Sequence, residues 1–138
     1  MSIPVAEVEK LIKSCGVSII SSVAEDGFPN TKAMLPPRQR EGIKTFYFTT
    51  NTSSQRVGQY RKNCKACIYF FDQRSYLGVM LVGNMQVLTD KKTKTAIWQD
   101  GDTQYYALGV DDPDYCVLKF TAEKMRTYRA FSSETTKV

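Results

Sequence analysis

Extended segments in which apolar and polar residues alternate recur along this chain of 138 residues. In the segment 43–50, Phe46 and Phe48 fall on one side, because side chains alternate with a period of two in a strand. Tyr47 and Thr49 fall on the other side. This alternation predicts a sheet with one buried face and one working face. Further runs rich in β-branched or alternating residues predict strands over 17–24, 30–35, 66–72, 77–88 and 116–120, with a last extended piece over 124–128.

Turn residues separate these runs. Asp26-Gly27 is a dipeptide typical of a tight turn between antiparallel strands, and residues 73–76 are few enough to close a second hairpin. Pro36-Pro37 ends the strand before it, because proline cannot donate to a ladder. The polar residues 38–42 that follow predict a loop.

Helical spacing predicts three short helices between groups of strands. Val5, Val8, Leu11 and Ile12 recur at helical intervals behind Ser2-Ile3-Pro4, which offers a cap and a first-turn proline. Residues 51–54 offer caps for a helix running to about residue 62, with Val57 and Tyr60 as its apolar contacts. Asp90 can cap a helix ending with Ile97 and Trp98, and the segment 104–108 is a further helical candidate.

The order of elements favours one domain over residues 1–138. Strands joined by tight turns, with helices inserted between them, are typical of a small antiparallel barrel decorated by helices. We expect six or seven strands. Parallel winding, in which single strands alternate with helices, fits the order poorly.

Histidine is absent from the sequence. Serine–histidine–acid hydrolysis, cysteine–histidine proteolysis, histidine-ligated haem and the common histidine zinc sites are therefore excluded. No catalytic side chain stands out, so any chemistry is expected to come from a cofactor.

A formal net charge of +5 suits an anionic partner, either a phosphate-bearing cofactor or a nucleic acid. Lysines 91, 92 and 94, with Arg38 and Arg40, would form the nucleic-acid surface. Charge runs are usually solvated faces, and we expect no nucleic-acid partner. The eight glycines contain no dinucleotide-binding or phosphate-loop pattern.

The segment 48–56 is the most informative part of the chain. A strand there runs into a helix through Thr49, Thr50 and Ser54, and Arg56 lies in the first helical turn. Hydroxyl groups, free N–H groups at the helix start and a guanidinium together make an anion site. An ordinary capped helix is the alternative interpretation.

This segment resembles the phosphate site of flavoproteins similar to pyridoxamine 5'-phosphate oxidase. Lys32-Ala33-Met34-Leu35 and the proline turn after it match a flavin-lining strand of that superfamily. Trp98, Tyr106, Gly109, Asp112-Pro113-Asp114-Tyr115 and Leu118-Lys119-Phe120 resemble the general stress protein branch. The resemblance implies an FMN-binding split barrel that works as a homodimer with the cofactor at the interface.

The resemblance also implies roles for individual residues. Lys32 and Arg56 would hold the FMN phosphate with help from the Ser54 hydroxyl. Thr49 and Thr50 would lie along the edge of the isoalloxazine ring or the ribityl chain. The backbone of Ala33, Met34 and Leu35 would flank the ring. Trp98, Tyr106 and Tyr128 are either core residues or aromatics that cover the flavin from the neighbouring subunit.

Two positions depart from the oxidase itself. Gln55 stands where that enzyme has a second basic phosphate ligand, and Gly78 stands where it has a flavin-contacting glutamine. These differences argue against vitamin B6 oxidation. The resemblance implies an FMN-dependent oxidoreductase acting on an unknown small molecule, with NADH or NADPH as donor. A flavin-storing stress protein without turnover and a deazaflavin cofactor remain alternatives.

Cys64 and Cys67 have the spacing of zinc and redox motifs. No second pair completes a zinc site, and the two cysteines close a helix and enter a strand, unlike a thioredoxin motif. We expect four free thiols, no metal, no membrane segment and a cytoplasmic protein.

Overall fold

The alternating segments form one antiparallel sheet in a computed structural model that describes residues 3–138. Ser2, the predicted cap of the first helix, lies outside the described residues. The strands are β1 (Ser18–Val23), β2 (Pro29–Met34), β3 (Gln39–Glu41), β4 (Thr45–Asn51), β5 (Lys65–Phe71), β6 (Gly78–Leu88), β7 (Tyr115–Arg129) and β8 (Ser132–Lys137). The helices are α1 (Val5–Ser14), α2 (Gln55–Lys62) and α3 (Lys91–Ile97).

The sheet has the strand order β2-β1-β5-β6-β7-β4-β3, and β8 pairs with the second half of β7. It is strongly curved but not closed. The predicted split-barrel fold class is confirmed, and the predicted count of six or seven strands is wrong, because the sheet has eight.

The core lies on the inner face of this sheet. Directly paired residues of antiparallel strands point to the same face, and the row Ile20, Ile68 and Leu81 is fully buried. Val8 of α1 and Val57 of α2 pack into the same cluster. Both helices therefore cover the barrel interior with the apolar residues that their spacing predicted.

A bulge lets the two longest strands bend. The pairing register of β6 and β7 shifts between Val82 and Gly83, so that Glu123 is skipped. A Cβ atom at Gly83 would lie 2.0 Å from the backbone oxygen of Thr121. Only glycine allows the strands to approach this closely.

Several boundaries differ from the predictions. The predicted loop over 38–42 contains β3, which pairs with β4. The segment 104–108 is not a helix, since single 3₁₀ turns occur instead at Asp102–Gln104 and Gly109–Asp111. The separate piece over 124–128 is part of β7, and β8 was not predicted. Among residues 3–138, no helix has both the length and the apolar character needed to cross a membrane.

Candidate functional site

A cavity of about 670 Å³, the site pocket, opens at the seam between β2 and β4. Residues from β2, the proline turn, the end of β4, α2 and the loop before β7 surround it. They are Lys32, Ala33, Met34, Leu35, Pro36, Arg38, Phe48, Thr49, Thr50, Asn51, Arg56, Gln104, Tyr105, Tyr106 and Asp114. Its volume is in the range of small-molecule and cofactor sites.

The curvature of the sheet creates this pocket. β2 is the first strand of the sheet path, and β4 is the last but one. Residues of both strands nevertheless line one cavity, because the sheet bends round until its two sides approach each other. Lys32 pairs with the buried Ile20, so its side chain leaves the inner side of an edge strand, towards this seam.

Arg56 supplies the cationic side of the site pocket. Its Nη2 donates to the Thr50 hydroxyl at 3.2 Å. Its Nε is buried and, within the described part of the chain, has no hydrogen-bond partner. Buried polar groups are nearly always satisfied, so this donor is a guanidinium N–H that the described chain leaves without an acceptor, on a residue that lines the pocket.

The start of α2 has fewer free donors than the sequence suggested. The Ser54 hydroxyl accepts a hydrogen bond from the backbone N–H of Val57 at 3.4 Å, as a helix cap. The N–H of Thr52 donates to the Asp114 carbonyl at 2.7 Å, and the N–H of Ser53 donates to the Asp114 carboxylate at 2.8 Å. An anion site here therefore depends on the side chains of Arg56 and Lys32.

The structure brings most of the predicted cofactor residues together. Lys32, Ala33, Met34, Leu35, Thr49, Thr50 and Arg56 all line the site pocket. Ser54 and Gln55 do not line it, and Gln55 is exposed in a groove on the other side of α2. The space beside Gly78, which replaces the oxidase's glutamine, is filled by the Tyr69 hydroxyl, 2.3 Å from where a Cβ would lie.

The three candidate covering aromatics occupy different places within one chain. Trp98 packs against Tyr115 with ring centroids 5.1 Å apart, in a small second core outside the pocket. Tyr106 belongs to that core and also lines the pocket. Tyr128 stands edge-on to Tyr69, away from the pocket. Burial raises the pKa of Tyr106 to about 12, so its phenol stays neutral at physiological pH.

An ion pair that borders the pocket was not predicted from the sequence. Arg38 and Asp102 form a bidentate ion pair of 2.8 and 2.7 Å, and their side chains are 11% and 5% exposed. Arg38 was assigned to a loop and to a possible nucleic-acid surface. The two residues are 64 positions apart, and no local pattern signals their contact.

The outer side of the sheet continues from the pocket as an apolar surface, the outer face. Ala33 lines the pocket and pairs with Ile19, which pairs with Tyr69, which pairs with Met80. Ile19, Tyr69 and Met80 are half-buried in the single chain, whereas the neighbouring inner row is fully buried. Phe71, two residues along β5 on the same side, is 40% exposed.

A second cavity of about 630 Å³ lies between α1 and the β5–β6 turn. It contains none of the predicted cofactor residues. Cys64 is exposed and Cys67 lies in β5, and all four cysteines are free thiols. Within residues 3–138, no group of three or more Cys, Asp or Glu side chains is placed to hold a metal ion.

The chain is similar to known proteins over nearly its whole length. A family model described as pyridoxamine 5'-phosphate oxidase matches residues 5–129. A search of curated proteins finds no match. A solved structure from Clostridium acetobutylicum is 40% identical with a TM-score of 0.88, covering 97% of this chain and 94% of that one. That protein is described as related to general stress protein 26 of Bacillus subtilis, in the pyridoxinephosphate oxidase family.

More distant structures share the fold. General stress protein 26 of Bacillus anthracis is 16% identical, with a TM-score of 0.76 and coverage of 97% of this chain and 98% of that one. A heme-binding protein of Mycobacterium smegmatis is 15% identical, with a TM-score of 0.75 and coverage of 99% and 59%. At these identities the likeness concerns the fold alone.

Proposed function

The chain belongs to the pyridoxamine 5'-phosphate oxidase family, and we propose that it is an FMN-dependent oxidoreductase of the general stress protein branch. The observation that carries the proposal is the buried Nε of Arg56, a charged donor without a partner in the wall of a cofactor-sized pocket. A cofactor phosphate would satisfy it.

The residues around Arg56 fit a phosphate. Phosphate is dianionic at neutral pH and accepts several charge-assisted hydrogen bonds. Arg56 offers its guanidinium, Thr50 offers a hydroxyl already held by Arg56, and Lys32 offers an ammonium group from the opposite strand. The Asp114 carboxylate also lines the pocket, and the two cations Arg56 and Lys32 outweigh its single negative charge.

The remaining walls suit a planar ring. Ala33, Met34 and Leu35 line the pocket from β2 and the turn after it, and Tyr106 lines it from the segment before β7. FMN, when bound, supplies two-electron transfer chemistry that no side chain of this protein provides. The chain's own residues bind and orient the cofactor, and the neutral Tyr106 phenol can donate a hydrogen bond within the pocket.

We further propose that two chains form a homodimer through the outer face. An apolar sheet surface of this kind marks an interaction site on a water-soluble domain. Because Ala33 belongs both to the outer face and to the lining of the site pocket, a second copy bound to the outer face would also form part of the pocket wall. This supports a cofactor at the interface, with partner aromatics such as Trp98 or Tyr128 as candidates to cover it.

An absorption spectrum of the purified protein tests the cofactor. We expect the two visible bands of FMN, released on denaturation in about one equivalent per chain. A deazaflavin spectrum would mean that the cofactor is a deazaflavin and not FMN, and a heme Soret band would contradict the flavin proposal. A colourless protein with salt-sensitive oligonucleotide affinity would favour the nucleic-acid interpretation.

A second experiment tests turnover. Anaerobic mixing of the flavin-loaded protein with NADH or NADPH should bleach the flavin bands. Flavin that stays oxidised with both donors would favour the storage protein over the oxidoreductase. Cytoplasmic location and the identity of the acceptor stay predictions.

A further inference from the structure

The Arg38–Asp102 ion pair joins the segment before β3 to the turn at Asp102–Gln104. Both side chains are almost fully buried beside the site pocket, and both oxygens of Asp102 are engaged by the guanidinium. A buried ion pair is weak evidence for stability, because desolvation offsets most of the attraction between the charges. In some proteins such a pair serves instead to fix one geometry.

Each partner is anchored on a different part of the fold. The backbone N–H of Arg38 donates to the Tyr47 carbonyl of β4 at 2.8 Å, which fixes Arg38 relative to the sheet. The Asp102 carboxylate also accepts the backbone N–H of Gln99 at 2.9 Å. The pair therefore joins the sheet to the turn at Asp102–Gln104.

Residues 104–106, the wall segment, depend on that turn. The backbone N–H groups of Tyr105 and Tyr106 both donate to the Asp102 carbonyl at 3.0 Å. Tyr106 is buried, but Gln104 and Tyr105 are exposed at the pocket mouth, and Tyr105 is 60% exposed. Tyr106 is also held by the second core, where its ring centroid lies 5.0 Å from that of Tyr115. The exposed side chains of Gln104 and Tyr105 have no such core contact, so the turn at Asp102 largely sets where they stand.

We propose that the Arg38–Asp102 pair is a positioning pair that holds the wall segment against the ring end of the cofactor. The inference rests on the proposed flavin site and gives that site a second group of residues, separate from Arg56, that determines flavin affinity. Arg56 acts on the phosphate, whereas the positioning pair acts on the ring through the wall segment.

A matched pair of double variants tests this role. Arg38→Met with Asp102→Asn removes both charges together, so no unpaired buried charge remains, and the asparagine oxygen can still accept the Gln99 N–H. The control is Arg40→Met with Glu9→Gln. That pair is also an arginine–carboxylate contact, 2.8 Å long, joining α1 to β3 outside the site pocket.

Two measurements are made on each variant. Titrations with FMN and with riboflavin report affinity for the ring with and without the phosphate. We expect the Arg38–Asp102 variant to bind both flavins about tenfold more weakly, by the same factor, because the lost contact is to the ring. The Arg40–Glu9 variant should bind both as wild type does.

Hydrogen exchange in the flavin-free proteins gives a readout that does not need a ligand. In the Arg38–Asp102 variant, the amides of Tyr105 and Tyr106 should exchange at least about tenfold faster, while β6 and β7 keep wild-type protection. Uniformly faster exchange would mean a purely structural role and would overturn the proposal. So would unchanged exchange, or a loss of FMN binding without a matching loss of riboflavin binding.

The two proposals can fail separately. If wild type binds neither flavin, the proposed function is wrong, and hydrogen exchange alone decides whether the pair positions the wall segment. If wild type binds FMN and the variant binds both flavins normally, the proposed function stands and the positioning role is refuted.

Discussion

Replacing Arg56 by alanine should separate phosphate binding from folding. In the flavin-free protein the guanidinium makes one side-chain hydrogen bond, to Thr50, and leaves its Nε buried without a partner. Losing it should cost the fold about 1 kcal/mol or less, since alanine also favours a helix. Charge-assisted hydrogen bonds to a bound phosphate contribute about 1.5–3 kcal/mol each.

The expected consequence is a change in FMN affinity alone. Loss of one such bond weakens binding about tenfold to somewhat over a hundredfold, measured by quenching of flavin fluorescence. Riboflavin, which has no phosphate, should bind wild type and Arg56→Ala equally. Arg61→Ala is the matched control, because Arg61 is an exposed arginine on the same helix outside the pocket.

Two results would refute the phosphate assignment. The first is wild-type affinity for FMN in Arg56→Ala, which would place the phosphate elsewhere. The second is a loss of riboflavin affinity by the same factor as FMN affinity, which would mean a generally damaged pocket. A matching loss in Arg61→Ala would indicate a long-range charge effect.

Three further predictions test other parts of the structure. Light scattering should give a mass of twice 15.7 kDa for wild type and the mass of one chain for the double variant Tyr69→Asp with Met80→Asp. The reason is that carboxylates buried in the dimer interface would disrupt the outer face, and a monomeric wild type would contradict the dimer. Cys64→Ser with Cys67→Ala should keep its flavin content with little loss of stability, and bound zinc in wild type would contradict this. Arg38 holds the pKa of Asp102 below 3.8, so ionisation of Asp102 favours the folded state above that pH, and this contribution is lost as the pH falls through the lower folded value. Acid unfolding should show this pH dependence in wild type and not in Arg38→Met with Asp102→Asn.

The part of the candidate site around the start of α2 was predictable because its signals are local. The run from Thr49 to Arg56 combines the end of a strand, a helix cap and a cation within eight positions, and the structure places four of these eight residues in one pocket. Lys32 was identified through resemblance and not through any local pattern. Ser54 illustrates the limit, since its hydroxyl could cap the helix or face a ligand, and packing decided for the cap.

The strands that sequence analysis missed have no local pattern of their own. β8 is polar and exposed along most of its length, and it forms because the second half of β7 presents an open edge. The turn before it uses Ala130 at a φ of 54°, where asparagine or glycine would have signalled a hairpin. β3 is three residues long, and it is likewise held by its pairing with a neighbouring strand, β4.

The sequence by itself determined the order of the three helices and of six of the eight strands, the buried faces and the fold class, because side-chain periodicity and turn chemistry act over a few residues. Tertiary structure alone decided how far the sheet curls, and with it that Lys32 and Arg56 line one cavity. It also decided the contact between Arg38 and Asp102, which are 64 residues apart. Such contacts depend on the path of the whole chain, and no short pattern encodes them.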